Sequence, residues 1–293
     1  MKIGLSARLG DKDAIDVGYI RALAQAMESA GFNSMWVPEH IVFFTEYKSK
    51  YPYHPDGKPP FGSDIGLFDS LLVFAAAAQV TTRLRFATSV MVLPERPALL
   101  TAKEVMTLDH LTKGRYELGV GAGWSQEEYE ALGVSFPKRG KRFDEYIKAI
   151  KTAWTEDVAS FHGEFVNFDN VVLLPKPYTP GGPPFLIGGD SEAAMRRAAT
   201  LGDGWYSWWR GYELEPHIEK FRAVMAEHGR SFDGFHLKIG TPHRGEPLPV
   251  KRPERLQGRP QVPAARERRG GRLPVAGPVG VQEGLVGGHQ GRR

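Results

Sequence analysis

Cysteine is absent from this chain of 293 residues. That excludes disulfides and thiolate metal sites, and makes a cytoplasmic setting the default expectation. Long apolar runs are missing too. The longest, Leu71 to Ala78, is too short to span a bilayer, so no membrane partner is expected. The N-terminal stretch reads as a short strand and a polar loop, without the apolar core of a signal peptide. No histidines stand at metal-ligand spacing, and there is no Gly-x-Ser-x-Gly elbow or Walker loop. Metal hydrolysis and nucleotide hydrolysis have no support.

Residues 241–293 lack every aromatic residue, and also Ile, Met, Asp, Asn and Ser. They hold ten Gly, eight Pro and ten Arg. With one Lys and four Glu, the span carries seven surplus positive charges against +4 for the whole chain, which leaves 1–240 mildly acidic. The basic isoelectric point therefore gives no argument for a nucleic-acid partner. The change of composition divides the chain into a domain over 1–240 and a basic low-complexity tail over 241–293. The tail is expected to be disordered. Arg, Gly and Pro are also what GC-rich codons give out of frame. A frameshift from about Pro247, replacing the last βα unit, is therefore the expected origin, and a genuine disordered basic tail is the alternative.

The stretch Leu84 to Trp124 organises the first domain. A β-rich run, Leu84 to Leu93, closes at Pro94. A helix follows from Pro97, suited to a first turn, to about Leu111. Its apolar members Leu100, Val105, Leu108 and Leu111 are expected to face inward. Lys113-Gly114 stops it. A second apolar run, Tyr116 to Val120, breaks into Gly121-Ala122-Gly123-Trp124. Around this unit, seven short strands alternate with helices over about 240 residues, a βα pattern with a parallel sheet. Ser160 to Leu174 reads as an excursion of extra strands with Asn167 to Asn170 at its turn. Thr45 to Asp64, with three tyrosines and four prolines, reads as a lid or binding loop. A barrel needs one further βα unit, and the sequence after Gly240 does not resemble one.

Several positions invite a functional reading beside a structural one. His40 follows the second strand, where barrel enzymes place reacting groups; it orients or deprotonates a substrate hydroxyl, or merely caps a strand end. Gly119, Gly121 and Gly123 sit on the fourth strand rather than the first, so a dinucleotide fingerprint is disfavoured. Close approach of a ring system to bare backbone is preferred there. Gly188-Gly189-Asp190-Ser191 opens a helix, either as a phosphate site or as a glycine turn with Asp190 or Ser191 as N-cap. The cluster Trp205, Tyr206, Trp208 and Trp209 reads as packing.

The ordered set SMWVPEH, RLRFATSVMVLPERPALLTAKEVMTLDHLTKGRYELGVGAGW, EEYEALGVSFPKRGKRFDEYIKAIKTAW and PPFLIGGDSEAAMRRAATLGDGW resembles the luciferase-like monooxygenase superfamily. The likeness is closer to its branch of deazaflavin (coenzyme F-420)-dependent oxidoreductases. The resemblance implies a (βα)8 TIM barrel, an α/β fold, with the cofactor across its C-terminal mouth. It implies a non-proline cis peptide at Ser89-Val90 against the ring. It places Gly121, Gly123 and Trp124 along the cofactor tail, and Gly188, Gly189 and Ser191 at a phosphate. It sets His40 beside the reactive ring carbon. The expected activity is hydride transfer between the deazaflavin and a small-molecule substrate. The alternatives are a reduced-FMN monooxygenase and a truncated barrel that binds without turnover. A homodimer is expected if the barrel is complete.

Overall fold

A computed structural model describes residues 2–7, 9–10, 16–59, 61–62, 65–208 and 214–240. The span 241–293, where the eighth βα unit, the basic tail and the shifted frame are expected, lies outside the described residues. So does Trp209.

Seven parallel strands run in the order β1 (Gly4–Ser6), β2 (Ser34–Val37), β3 (Arg85–Thr88), β5 (Tyr116–Gly121), β8 (Phe185–Gly188), β9 (Gly204–Trp208) and β10 (His236–Gly240). A two-residue strand, β4 (Met91–Val92), also pairs with β5. Helices α1 (Val17–Ser29), α2 (Ser70–Ala78), α3 (Ala98–Thr112), α4 (Gln126–Ala131), α5 (Arg139–Thr155), α6 (Glu192–Leu201) and α7 (Leu214–Glu227) fill the crossovers. Asp16 caps α1 by accepting the Tyr19 N–H, and Asp69 caps α2 through the N–H groups of Leu71 and Leu72.

The sheet curls into a partial barrel, and its inward side chains show why. Trp36 on β2 stacks on Tyr206 of β9 at 5.1 Å, although three strands separate them along the sheet. Lower down, the buried Glu117 on β5 meets Arg85 of β3 at 3.3 Å, and His236 and Lys238 of β10 at 3.1 and 3.0 Å. Burial raises the Glu117 carboxyl, but His236, Lys238 and Arg85 outweigh it and hold it at about 2. Only a strongly coiled sheet brings these strands face to face. The main core lies between the strands and the helices, around Met35, Phe74, Phe86, Tyr116, Trp154 and Phe185.

Three local expectations are corrected. Val105 and Leu108 are buried as expected, but Leu100 and Leu111 are exposed; Ala98, Thr101 and Ala102 share the inward face of α3, small residues that let it lie close to its neighbours. Pro97 is the N-cap rather than a residue of the first turn. Asn167 to Asn170 lies within a strand. The hairpin pairs β6 (Ala159–His162) with β7 (Asn167–Val171) and turns at 163–166. The asparagine signal has a local basis: Asn170 has φ +54, at a register shift between the two strands. The break after Gly121, the left-handed Lys113-Gly114 stop and the Ser191 cap stand as read. No helix among the described residues is long and apolar enough to cross a membrane.

Candidate active site at the C-terminal mouth of the sheet

The strands deliver their C-terminal ends to one cleft of about 1120 Å³. All nine residues that the resemblance assigns to a site line it: His40, Ser89, Val90, Gly121, Gly123, Trp124, Gly188, Gly189 and Ser191.

The run expected as one strand from Leu84 to Leu93 is interrupted. Between β3 and β4 the Ser89-Val90 peptide is cis, and a 3-10 turn, Leu93–Glu95, follows. Val90 projects between two glycines. A Cβ on Gly121 would stand 2.8 Å from Val90 Cγ2, and one on Gly188 would stand 2.7 Å from Val90 Cγ1. Bare backbone at 121 and 188 thus makes room for the valine, not directly for a ring. Gly119 has another partner, since its Cβ would lie 1.9 Å from the Thr88 carbonyl oxygen. Gly123 has φ +67, which favours glycine, and its carbonyl accepts from Arg139 Nε at 3.3 Å.

His40 is held from behind. Its Nδ1 lies 2.7 Å from Oε2 of Glu128, a buried carboxylate 88 residues away in sequence. Glu128 Oε1 also accepts the Ile41 N–H at 2.7 Å. An ionised carboxylate only accepts, so Nδ1 carries a proton and Nε2 is the nitrogen left for the cleft. Sequence reading missed Glu128. Ser125-x-x-Glu128 has the spacing of a capping box, and Ser125 does cap the Glu128 N–H. The glutamate turns away from the helix end and reaches the exit of β2.

A second carboxylate network flanks the first. Glu39 is buried, accepts from Ser70 Oγ at 2.9 Å and pairs with Arg96 at 3.3 Å; Arg96 also binds Asp69 at 2.8 Å. Burial raises the Glu39 carboxyl, while Arg96 and Ser70 oppose the shift. Glu95 is pushed up to about 9, by burial first and then by the charges of Glu128 and Glu39. It is a neutral acid at pH 7, which lowers the cost of its buried, unpartnered Oε2.

The loop after β2 forms an aromatic wall. His40 lies 5.3 Å from Phe43, 6.0 Å from Phe61 and 6.0 Å from Trp124, between ring centroids. Trp124 packs on Tyr47 and Tyr51, each at 5.1 Å. Its indole therefore belongs to the His40 end of the cleft. Glu127 pins the loop by accepting the N–H groups of Lys48 and Ser49 at 2.6 and 2.9 Å. Burial raises the Glu127 carboxyl, yet N–H bonds from Glu127 itself, Ser49 and Lys48 hold it at about 2. A depressed carboxyl stabilises the fold above its unfolded value of about 4.3 and loses that contribution as pH falls toward 2. The loop is therefore expected to loosen between about pH 4 and 2, and Glu127→Gln to loosen it at neutral pH. Hydrogen exchange at Lys48 and Ser49 checks this; equal protection in the wild type and the variant would contradict it.

At the opposite end, Gly189 lines the cleft, but its N–H donates to Tyr206 O at 3.1 Å and is not available to a phosphate. The Ser191 hydroxyl accepts from Ala194 N, as an N-cap. Asp190 accepts from Ser207 Oγ at 2.7 Å and lies 3.3 Å from His217. Arg139, Arg197 and Lys220 also line this end. Arg197 is paired with Asp144 and Lys220 with Glu192. Arg139 has no carboxylate partner among the described residues; it lies over the Phe136 ring.

Comparison with known proteins places this arrangement. An uncharacterized protein of Mycobacterium tuberculosis is 40% identical over 230 residues, covering 75% of this chain and 79% of that protein. An FMNH(2)-dependent dimethylsulfone monooxygenase of Pseudomonas putida is 29% identical over 239 residues, covering 80% of this chain and 60% of that one. The solved structure of an F420-dependent secondary alcohol dehydrogenase, in complex with an F420-acetone adduct, shares the fold. It has a TM-score of 0.64 at 22% identity, over 81% of this chain and 68% of that one. The model of the luciferase-like monooxygenase family matches residues 2–242, and the chain belongs to that family.

Proposed function

We propose that the protein is an oxidoreductase that moves a hydride between a deazaflavin, coenzyme F-420, and a small organic substrate. The observation that carries this reading is the His40–Glu128 pair, which offers the cleft an imidazole nitrogen able to accept a proton. Taking a hydride from a carbinol leaves a hydroxyl proton to be removed, and giving one to a carbonyl requires a proton to be delivered. His40 Nε2 performs either transfer, and the buried Glu128 carboxylate stabilises the imidazolium formed in between.

The residues present fit a flavin-like group. The cleft is large for a small ligand alone. Val90 and the glycines at 121 and 188 present a low, apolar floor to a flat ring. Arg139 suits an anionic tail, and the first N–H groups of α6 suit a phosphate. A bound deazaflavin supplies hydride transfer and reacts poorly with oxygen, whereas reduced FMN supports oxygenation. The aromatic wall excludes water from either.

The FMNH(2)-dependent relative supports the second reading, a reduced-FMN monooxygenase on the same barrel. An absorbance titration with each cofactor separates the two. Coenzyme F-420 is expected to bind in the micromolar range or tighter, on the order of −8 kcal/mol. Uptake of FMN with indifference to F-420 would decide for the monooxygenase.

A further inference from the structure

Among the described residues two carboxylates line the cleft, Glu39 and Asp190. Glu39 is paired with Arg96. Asp190 lies at the other end, between Gly189 and Ser191, where the cofactor reading seats an anionic tail. A bare carboxylate there opposes any anion that approaches. Arg197 is taken by Asp144 and Lys220 by Glu192, which leaves Arg139 as the open cation of this end among the described residues. Asp190 itself is faced by a titratable group. His217 of α7 puts its Nε2 3.3 Å from Asp190 Oδ1, and Ser207 Oγ donates to the same oxygen at 2.7 Å. The imidazole lines the cleft and packs on Trp205 of β9, 5.2 Å away between ring centroids. An ionised carboxylate only accepts, so Nε2 carries a proton in either charge state and Nδ1 is the atom that gains or loses one. Nδ1 has no partner among the described residues. From α6, packed on α7, comes Glu192, already paired with Lys220. From β9 comes Tyr206, which the charge of Asp190 reaches; burial pushes its hydroxyl up, so it stays protonated.

On the cofactor reading above, we infer that His217 and Asp190 make seating of the cofactor's anionic tail a proton-linked step, in which the tail binds together with one proton taken up at His217 Nδ1. With His217 neutral, the charge of Asp190 stands uncancelled and repels the tail. With His217 charged, the pair is neutral, and Nδ1–H becomes one more donor for a phosphate or carboxylate oxygen. Linkage fixes the sign. A ligand that prefers the protonated pair binds more tightly as pH falls, and once bound it strengthens the hold on that proton by the same factor.

The test measures binding to the full chain by fluorescence, from about pH 5.5 to about pH 8.5, where imidazoles change charge. The probes are coenzyme F-420 and the tail-less deazaflavin that ends at its ribityl chain. The ratio of their affinities cancels any titration of the ring, which both share. In the wild type this ratio is expected to rise about 10-fold as pH falls across the range. His217→Gln, whose amide still donates to Asp190, is expected to hold it flat at the high-pH value. Asp190→Asn, whose carbonyl still accepts from Ser207, is expected to raise it at least about 5-fold at the alkaline end. FMN and riboflavin make a second pair of probes, with His217→Gln as the reference for the phosphate's own titration. A flat ratio in the wild type, an unchanged slope in His217→Gln, or weaker tail binding in Asp190→Asn overturns the inference. Binding of F-420 with a flat ratio sinks the proton linkage alone. A His217-dependent slope with FMN, and no binding of F-420, sinks the deazaflavin reading alone. Binding of neither cofactor sinks both.

Discussion

Glu128→Gln is expected to lower turnover by roughly 100-fold or more while leaving cofactor affinity nearly unchanged. The amide keeps one carbonyl oxygen, which can still accept the Ile41 N–H, so the loop stays anchored. Its other atom is now a donor facing His40 Nδ1. The ring must then accept at Nδ1 and carry its proton on Nε2, and the cleft loses its base. His40→Ala is expected to show a loss of about the same size. The double variant is expected to be little worse than either single one, because both remove one proton-accepting unit. Steady-state rates and the cofactor titration on all three variants check this. Full turnover in Glu128→Gln would return His40 to a structural role at the end of β2.

Gly119→Ala is expected to destabilise the protein by about 3 kcal/mol. The added methyl would stand 1.9 Å from the Thr88 carbonyl oxygen, which is backbone of the neighbouring strand and cannot swing aside. Gly119 O also accepts the Thr88 hydroxyl at 2.6 Å, so pushing the strands apart breaks a buried hydrogen bond as well. Gly140→Ala serves as the contrast. That glycine lies in the first turn of α5, and its Cβ would meet only the end of the Arg197 side chain, at 3.2 Å. It is expected to be neutral, or stabilising by up to about 1 kcal/mol. Denaturant midpoints for the two variants give the comparison, and equal midpoints would contradict it.

The fold was legible where a signal is local. The seven parallel strands, the Asp16 and Ser191 caps and the Lys113-Gly114 stop follow from short stretches of sequence. The cleft residues came from the ordered resemblance, since none of them has a strong signal alone. The cis bond at Ser89-Val90 came from the resemblance too, since the residues around it suit strands and carry no local mark of it. Two things were hidden for physical reasons. The inward face of α3 is set by the small side chains that close packing selects, and a search for large apolar residues picks Leu100 and Leu111 instead. The pairing of His40 with Glu128 spans 88 residues, and its sequence trace is identical to that of a helix cap.

The notch around Val90 carries a consequence for the history of the family. The two methyl groups fill the space that side chains at 121 and 188 would need, and those positions belong to different strands. The three sites therefore cannot drift independently. A lineage that acquires alanine at 121 or 188 is expected to have first, or at once, reduced position 90 to a smaller residue. A lineage that enlarges position 90 is expected to retain both glycines. In an alignment of many relatives the three columns should change as a correlated group, even where nothing they touch takes part in the chemistry.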